Sequence, residues 1–476
     1  MNLASDMEVW MTQEQIQSLA GELTAFLATA RPCLPNRKSQ AHLATYARGL
    51  LSDSPRKSVE PMALEAGTAV RTLQEFLADY KWDHDHLKRI IQQRIVAEHL
   101  PAPGKPGEEE DELGVIGLID ETSVAKKGDK TPGVQRQHCG STGKIDNCIV
   151  TVHLAVRYGK FLGMLDSDLF LPEGTWHEDR ARCEAAHIPK EIVYRSKWKI
   201  ALEQIKRAIA NGVRFDWHTF DEGYGSKPGF LRELETLGQR YVGEVPKNAQ
   251  CWSTYPRYKS LTKNYVPKSV ENVARYSPAF TGQKWKTVTL HRETLAPQKW
   301  EVKSAQVWLV AEGNARTPHL RKPTDRTYWL IVARNCETGE MKYFLSNASP
   351  KTKLLTLLKV AFSRWGVEHV FRIAKSEIGF DHYEGRTYQG LIRHMILCQW
   401  MLLFVAEQTD KLREKKCRVD DGADGCGGER DRTIMEQPTA WGIDCPHGPS
   451  VGVSPKAKCR RETIPTSFLK TAVVAL

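Results

Sequence analysis

None of the eleven cysteines stands in a CxxC pair, which removes the strong signature of a structural zinc module. Met1 to Trp10 lacks a basic start followed by an apolar stretch, so the odd number of thiols reads as reduced cysteine in a cytoplasmic protein. No run approaches the roughly 18 apolar residues that a membrane span needs, and no membrane partner is expected. No internal repeat divides the chain. Acid is also in deficit: 57 Asp and Glu face 68 Lys and Arg, leaving a net charge of +11 and a pI near 9.0. That balance fits a polyanion partner, and thirteen tryptophans add flat faces able either to stack on bases or to fill a core. Cys417, Cys426, Cys445 and Cys459 with His447 could make a loose metal site, or be incidental residues of a disordered tail.

What is present is 476 residues, enough for two or three domains with real cores. Residues 12–100 carry helical periodicity, and 1–100 read as an all-helical DNA-binding domain. Within it Val59 to Leu77 spells an apolar helix, a turn at Gly67 and a second amphipathic helix, the pattern of a helix-turn-helix or of any αα-hairpin. A Pro/Gly hinge and acidic run at 101–113 mark a linker. Over 114–245 the order reads β-β-β-α-α-β-α-β. Val115 to Ile119 is an apolar strand ending on Asp120, and Phe215 to Phe220 is a strand ending on Asp221. Residues 246–348 alternate with period two and read as a β-rich insertion; 349–408 return to helix, and 409–476, rich in glycine and charge, read as a flexible tail.

The segment Arg364 to Lys375 has a polar stripe. At about 100° per residue Arg364 and Lys375 fall within roughly 40° of Glu368, while Val367, Val370, Phe371, Ala374 and Ile378 face away. Two acids at strand ends and a third on a helix packed across the sheet could converge on one spot, and oxygen-only ligands suit Mg²⁺ or Mn²⁺. Two such ions about 3.5 to 4 Å apart serve phosphodiester chemistry, with Arg364 and Lys375 on the phosphates. Each residue also has a plainer reading. Asp120 or Asp221 could be a turn former or helix cap, and Glu368 with Arg364 could be an i,i+4 surface pair. Glu121, Asp166, Asp168, Glu222 and Glu377 compete as acids, with Asp166 and Asp168 read as structural members of a turn before Pro172.

Three blocks carry a family resemblance. Ile119 to Gly128 with Gly133 to Gly140 and Gly143 to Asn147 resembles the first catalytic block of DDE transposases from bacterial insertion sequences, most closely insertion sequence family 701. Phe220 to Gly225 resembles the second block, and Arg364 to Lys375 followed by Gly379 to Arg386 the third. The third motif of the related family 4 branch is Tyr, two residues, Arg, three residues, Glu, six residues, Lys; Arg364, Glu368 and Lys375 match in register, and Ala361 stands at the Tyr position. Tyr46 to Pro61 extends the likeness into the amino-terminal region.

The resemblance implies an α+β fold: an RNase H-like mixed-sheet catalytic core, interrupted by the β-rich insertion and preceded by the all-helical domain. It implies Asp120, Asp221 and Glu368 as the metal-binding triad for Mg²⁺ or Mn²⁺, two ions in number. Spacings of 101 positions from Asp120 to Asp221 and 147 from Asp221 to Glu368 fit a core whose longer gap holds the insertion. Arg364, Lys375, Lys126 and Lys127 are the expected phosphate contacts. In related enzymes an aromatic residue of the insertion stacks on a flipped base; Trp252, Trp285, Trp300, Trp308 and Trp329 are the candidates here. The partners implied are double-stranded DNA, both terminal inverted repeats and target, and a second copy of the chain in the DNA complex, at the prokaryotic nucleoid. The expected function is cut-and-paste transposition. Its rivals are a DNA-binding regulator or domesticated derivative that no longer transfers strands, and a Mg²⁺-dependent nuclease that only cuts.

Overall fold

The computed structural model describes residues 13–102, 113–256, 266–290, 297–312 and 321–423. Most of the expected linker, 103–112, and the tail from 424 onward with Cys426, Cys445, Cys459 and His447 lie outside the described residues. Five helices come first: α1 (Gln13–Ala28), α2 (Arg37–Leu51), α3 (Val59–Glu65), α4 (Val70–Ala78) and α5 (His84–His99). Local chemistry starts two of them, since Asn36 accepts from the Ser39 amide and Asp83 from the His86 amide. Gly67, at φ +60°, makes the turn between α3 and α4.

The first sheet has β1 (Ile116–Ala125), β2 (Gln135–Cys139), β3 (Lys144–Tyr158), β4 (Phe161–Leu169) and β5 (Trp217–Phe220). Strand β3 runs antiparallel to β1, β2 and β4, whereas β5 is parallel to β1. The hairpin expected at Tyr158-Gly159 joins β3 to β4, with Tyr158 opposite Phe161. The connection from β4 to β5 carries α6 (Arg180–Ala185) and α7 (Lys197–Ala210). After β5 come α8 (Glu222–Gly225), α9 (Pro228–Thr236) and β6 (Val242–Glu244), which reaches β5 through a parallel bridge from Tyr241 to His218.

A second sheet grows from β6. It contains β7 (Gln250–Trp252), β8 (Lys268–Ser269), β9 (Lys286–Leu290), β10 (Gln298–Glu312), β11 (Lys322–Pro323), β12 (Tyr328–Asn335) and β13 (Met341–Ser346), in the path β6-β13-β12-β10-β7-β8 with β9 and β11 on β10. Two short helices, α10 (Val270–Tyr276) and α11 (Pro278–Thr281), lie within it and were not legible as helices against the alternating pattern around them. The chain then forms α12 (Leu354–Ser363), α13 (Trp365–Ile373) and α14 (Tyr388–Ala423). The fold is thus α+β, with a mixed sheet.

The packing differs from a string of separate domains. One apolar cluster takes in α1 to α5, the first sheet and α14, and Phe26 of α1 stacks on Trp400 of α14 with ring centroids 5.1 Å apart. Arg393 of α14 donates to the carbonyls of Leu77 and Trp82, and the Tyr46 hydroxyl sits 2.8 Å from His394 Nδ1. The second sheet has an apolar cluster of its own around Phe280, Val307 and Leu330. Part of α14, Tyr388–Lys411, is long and apolar enough to span a membrane, but 89% of its apolar window is buried inside the protein, as befits a core helix. It also continues past Thr409, where the sequence pointed to a tail, as far as Ala423.

Candidate active site

Asp120 does not stand at the end of its strand, as the apolar run suggested; β1 continues five residues to Ala125. What ends there is the two-sided pairing. Strand β5 lies alongside Ile116 to Ile119 only, with Ile119 opposite Phe220, so the next residue of each strand is an acid. Parallel pairing therefore sets Asp120 and Asp221 side by side. Beyond this point β1 has a neighbour only on the β3 side, which lets the polar run Asp120 to Ser123 follow a wholly apolar one.

Asp221 also caps a helix. Its Oδ1 accepts from the Tyr224 amide at 3.3 Å as N-cap of α8, which is the plainer reading of this residue. Gly225 lets that turn lie on β6: a Cβ there would come within 1.9 Å of the Glu244 carbonyl oxygen.

The third acid arrives on α13. Val367, Val370, Phe371, Ala374 and Ile378 are all buried, as the helical spacing requires, and the side chain of Glu368 is 60% exposed. Arg364, between α12 and α13, bridges the acids: its Nη1 donates to Asp120 Oδ2 at 2.8 Å and its Nη2 lies 3.5 Å from Glu368 Oε1. The i,i+4 pair of the plainer reading is present too, but it faces Asp120 rather than only solvent.

The electrostatics of Asp120 stand out. Burial is the main cause that pushes its carboxyl up to about 7; Arg364 and the Glu121 amide oppose the rise, while Asp221 and Glu368 add to it. One guanidinium serves three carboxylates. An all-oxygen donor set with surplus negative charge fits a hard divalent cation such as Mg²⁺ or Mn²⁺. Among the described residues no three His, Cys, Asp or Glu side chains already form a closed cage.

The lysines are placed differently. Lys375 lies in a π-type turn, Ala374–Ile378, at the end of α13 and donates to the Ser123 carbonyl at 3.0 Å. Lys126 donates to the Tyr383 and Asp381 carbonyls at 2.6 and 3.3 Å, and burial lowers its pKa to about 8. Both hold the loop after α13 against β1. Lys127 is exposed. Ala361 is buried, with its carbonyl 3.4 Å from the Thr219 hydroxyl, so the Tyr position of the resembled motif belongs to the core here.

Among the competing acids, Glu121 pairs with Lys197 at 2.6 Å. Asp166 and Asp168 sit within β4, not in a turn, and bind Lys88 and Arg207. Sequence reasoning did not find Tyr224, whose ring is buried beside the acids; the signal was its position three residues after Asp221. Of the five tryptophans, Trp252 and Trp300 are core residues. Trp285 lies between Lys303 and Arg334, Trp308 meets the exposed Tyr255 edge-on at 5.9 Å, and Trp329 donates to the Ser349 carbonyl.

Residues 30–306, more than half of the chain, match the family model described as DDE superfamily endonuclease; Glu368 lies beyond the matched stretch. A probable transposase for insertion sequence element IS701 from Microchaete diplosiphon is 33% identical over 202 residues. That alignment takes in 42% of this chain and 47% of the relative, so the chain spans about half the length of the curated protein it matches. The NurA nuclease of Sulfolobus solfataricus aligns over 62% of this chain and 92% of its own at 12% identity, with a TM-score of 0.21, too low to bear on the fold. The chain belongs to the DDE superfamily of endonucleases.

Proposed function

We propose that the chain is a cut-and-paste transposase that hydrolyses the phosphodiester at each terminal inverted repeat and joins the freed 3′-hydroxyls to target DNA. The observation that carries this reading is the side-by-side placement of Asp120 and Asp221, with Arg364 reaching from Asp120 to Glu368. The first sheet, with four strands in antiparallel pairing and β5 parallel to β1, supports an RNase H-like core formed by 114–245 and 349–408. Residues 246–348 are the insertion, and the helical region 1–100 reads the inverted repeats.

Asp120, Asp221 and Glu368 are the groups to hold Mg²⁺ or Mn²⁺. Two such ions, when bound, would activate water or a 3′-hydroxyl and stabilise the leaving oxygen. The chain's own residues do the rest. Arg364, beside Asp120 and Glu368, would offer its fork to a phosphate oxygen. Exposed Lys127 contacts the DNA backbone, while Lys126 and Lys375 fix the loop beside it. Trp308 and Trp329 are the candidates to stack on a flipped base, since Lys303 and Arg334 already lie against the Trp285 ring. Holding both DNA ends calls for a dimer in the complex, acting in the cytoplasm at the nucleoid.

Incubating the protein with labelled inverted-repeat ends, Mg²⁺ and a target plasmid tests this. Joined products are expected, and Glu368→Ala should lower cleavage by about 10³-fold or more. Full cleavage by that variant would sink the triad assignment; cutting without joining would indicate a nuclease, and binding without cutting a regulator.

A further inference from the structure

A buried tyrosine hydroxyl with nothing to bond belongs to the turn that Asp221 caps. Tyr224 is 3% exposed and its ring packs against Phe230 with centroids 5.7 Å apart, yet its hydroxyl, shut off from solvent, has no hydrogen-bond partner. Phenylalanine would fill the same space without burying an unsatisfied polar group. The hydroxyl is therefore unfavourable in the cation-free protein and becomes favourable only if an acceptor moves to it.

The same turn and the strand beside it carry the candidate acceptors. Tyr224 follows Asp221 by three residues and its amide bonds the Asp221 carboxylate, while Asp120 is the parallel neighbour of Asp221. The charges acting on the phenol are Glu121, Asp120 and Asp221, which together with burial hold it protonated and thus a donor. Glu121 already has a partner in Lys197 at 2.6 Å. Asp120 has a partner too, Arg364 at 2.8 Å, but Asp120 and Asp221 are the two carboxylates that would shift to share a cation, and so the acceptors able to come to the hydroxyl.

We propose that Tyr224 is a positioning residue whose hydroxyl donates to a carboxylate of the Asp120–Asp221 pair, or to a water that this pair holds, when a divalent cation draws the two together. The inference rests on the reading of that pair as the cation site. Partners behind metal ligands fix their orientation, and losing one typically weakens metal binding by about 10- to 100-fold.

Mn²⁺ binding to the full chain, measured by calorimetry and by the electron paramagnetic resonance of free Mn²⁺, separates the possibilities when wild type, Asp221→Asn and Tyr224→Phe are compared. Tyr224→Phe should bind Mn²⁺ about 10-fold or more weakly, with the cation-free protein melting at or above the wild-type temperature. If Tyr224→Phe binds Mn²⁺ as wild type does while Asp221→Asn does not, the hydroxyl has no positioning role. Should wild type and Asp221→Asn bind alike, or neither bind, the cation site itself is misassigned and the inference falls with it.

Discussion

Two carboxylate clusters occupy opposite faces of one sheet, and their charge balance differs. Asp120 lies across from His153, and His153 across from Ser167, so these three share a face, the one on which the Phe371 ring of α13 meets His153 at 4.9 Å. Asp166 and Asp168, on either side of Ser167, point to the other face, toward α5 and α7. There Lys88 Nζ lies 2.9 Å from Asp166 and 3.7 Å from Asp168, and Arg207 binds both acids. Two acids meet two cations, and Lys88 and Arg207 hold the Asp168 carboxyl well below the usual range despite its burial. Around Asp120 three acids share Arg364, and the carboxyl is pushed up to about 7. Balanced charge ties the amino-terminal helices to the sheet; surplus negative charge is the environment that the proposed cation would neutralise.

Breaking the balanced cluster should cost the most stability. Asp166→Ala leaves Lys88 buried without its nearest partner and is expected to destabilise by about 3–5 kcal/mol in denaturant melts. At the other cluster the sign reverses: Asp120→Asn should raise the stability of the cation-free protein at pH 8 by about 1–2 kcal/mol. Because the folded pKa of Asp120 is raised, the folded state binds the extra proton. Wild type therefore loses stability as the pH climbs from the ordinary 3.8 to about 7, and Asp120→Asn does not over that window. Asp168 runs the other way. Its folded pKa is depressed, so its contribution is full above the ordinary 3.8 and lost as the pH falls further; the gap between wild type and Asp168→Asn should close in acid melts. The smallest effect belongs to Arg71→Ala, which removes an exposed i,i+4 pair with Glu75 and should leave the melting temperature unchanged.

Much of this contrast was legible in the sequence, in a specific way. The apolar run Val115 to Ile119 marked where β1 is buried on both faces, and the polar run from Asp120 marked where β5 stops, though not where β1 stops. The hairpin at Gly159 and strands β9, β12 and β13 followed from alternation and turn residues. Strand β2, Gln135–Cys139, did not, because its first four side chains are polar and alternate between partial and full exposure, leaving only Cys139 buried. The period of 3.6 gave the buried side of α13 correctly. It could not show that Arg364 reaches Asp120, 244 positions earlier, nor that Lys126 and Lys375 are spent on backbone carbonyls. Those contacts depend on tertiary packing, as does the merging of the amino-terminal helices with α14 into one core.

Hydroxyl-radical cleavage of the backbone by bound Fe²⁺, with ascorbate and peroxide, tests the central claim most directly because it reports where a divalent cation sits in the full chain. Cuts are expected beside Asp120, Asp221 and Glu368, suppressed by excess Mg²⁺, with none near Asp166 and Asp168. Cuts at Asp166 and Asp168, or a pattern that spares all three of Asp120, Asp221 and Glu368, would contradict the assignment of the surplus charge to a cation site.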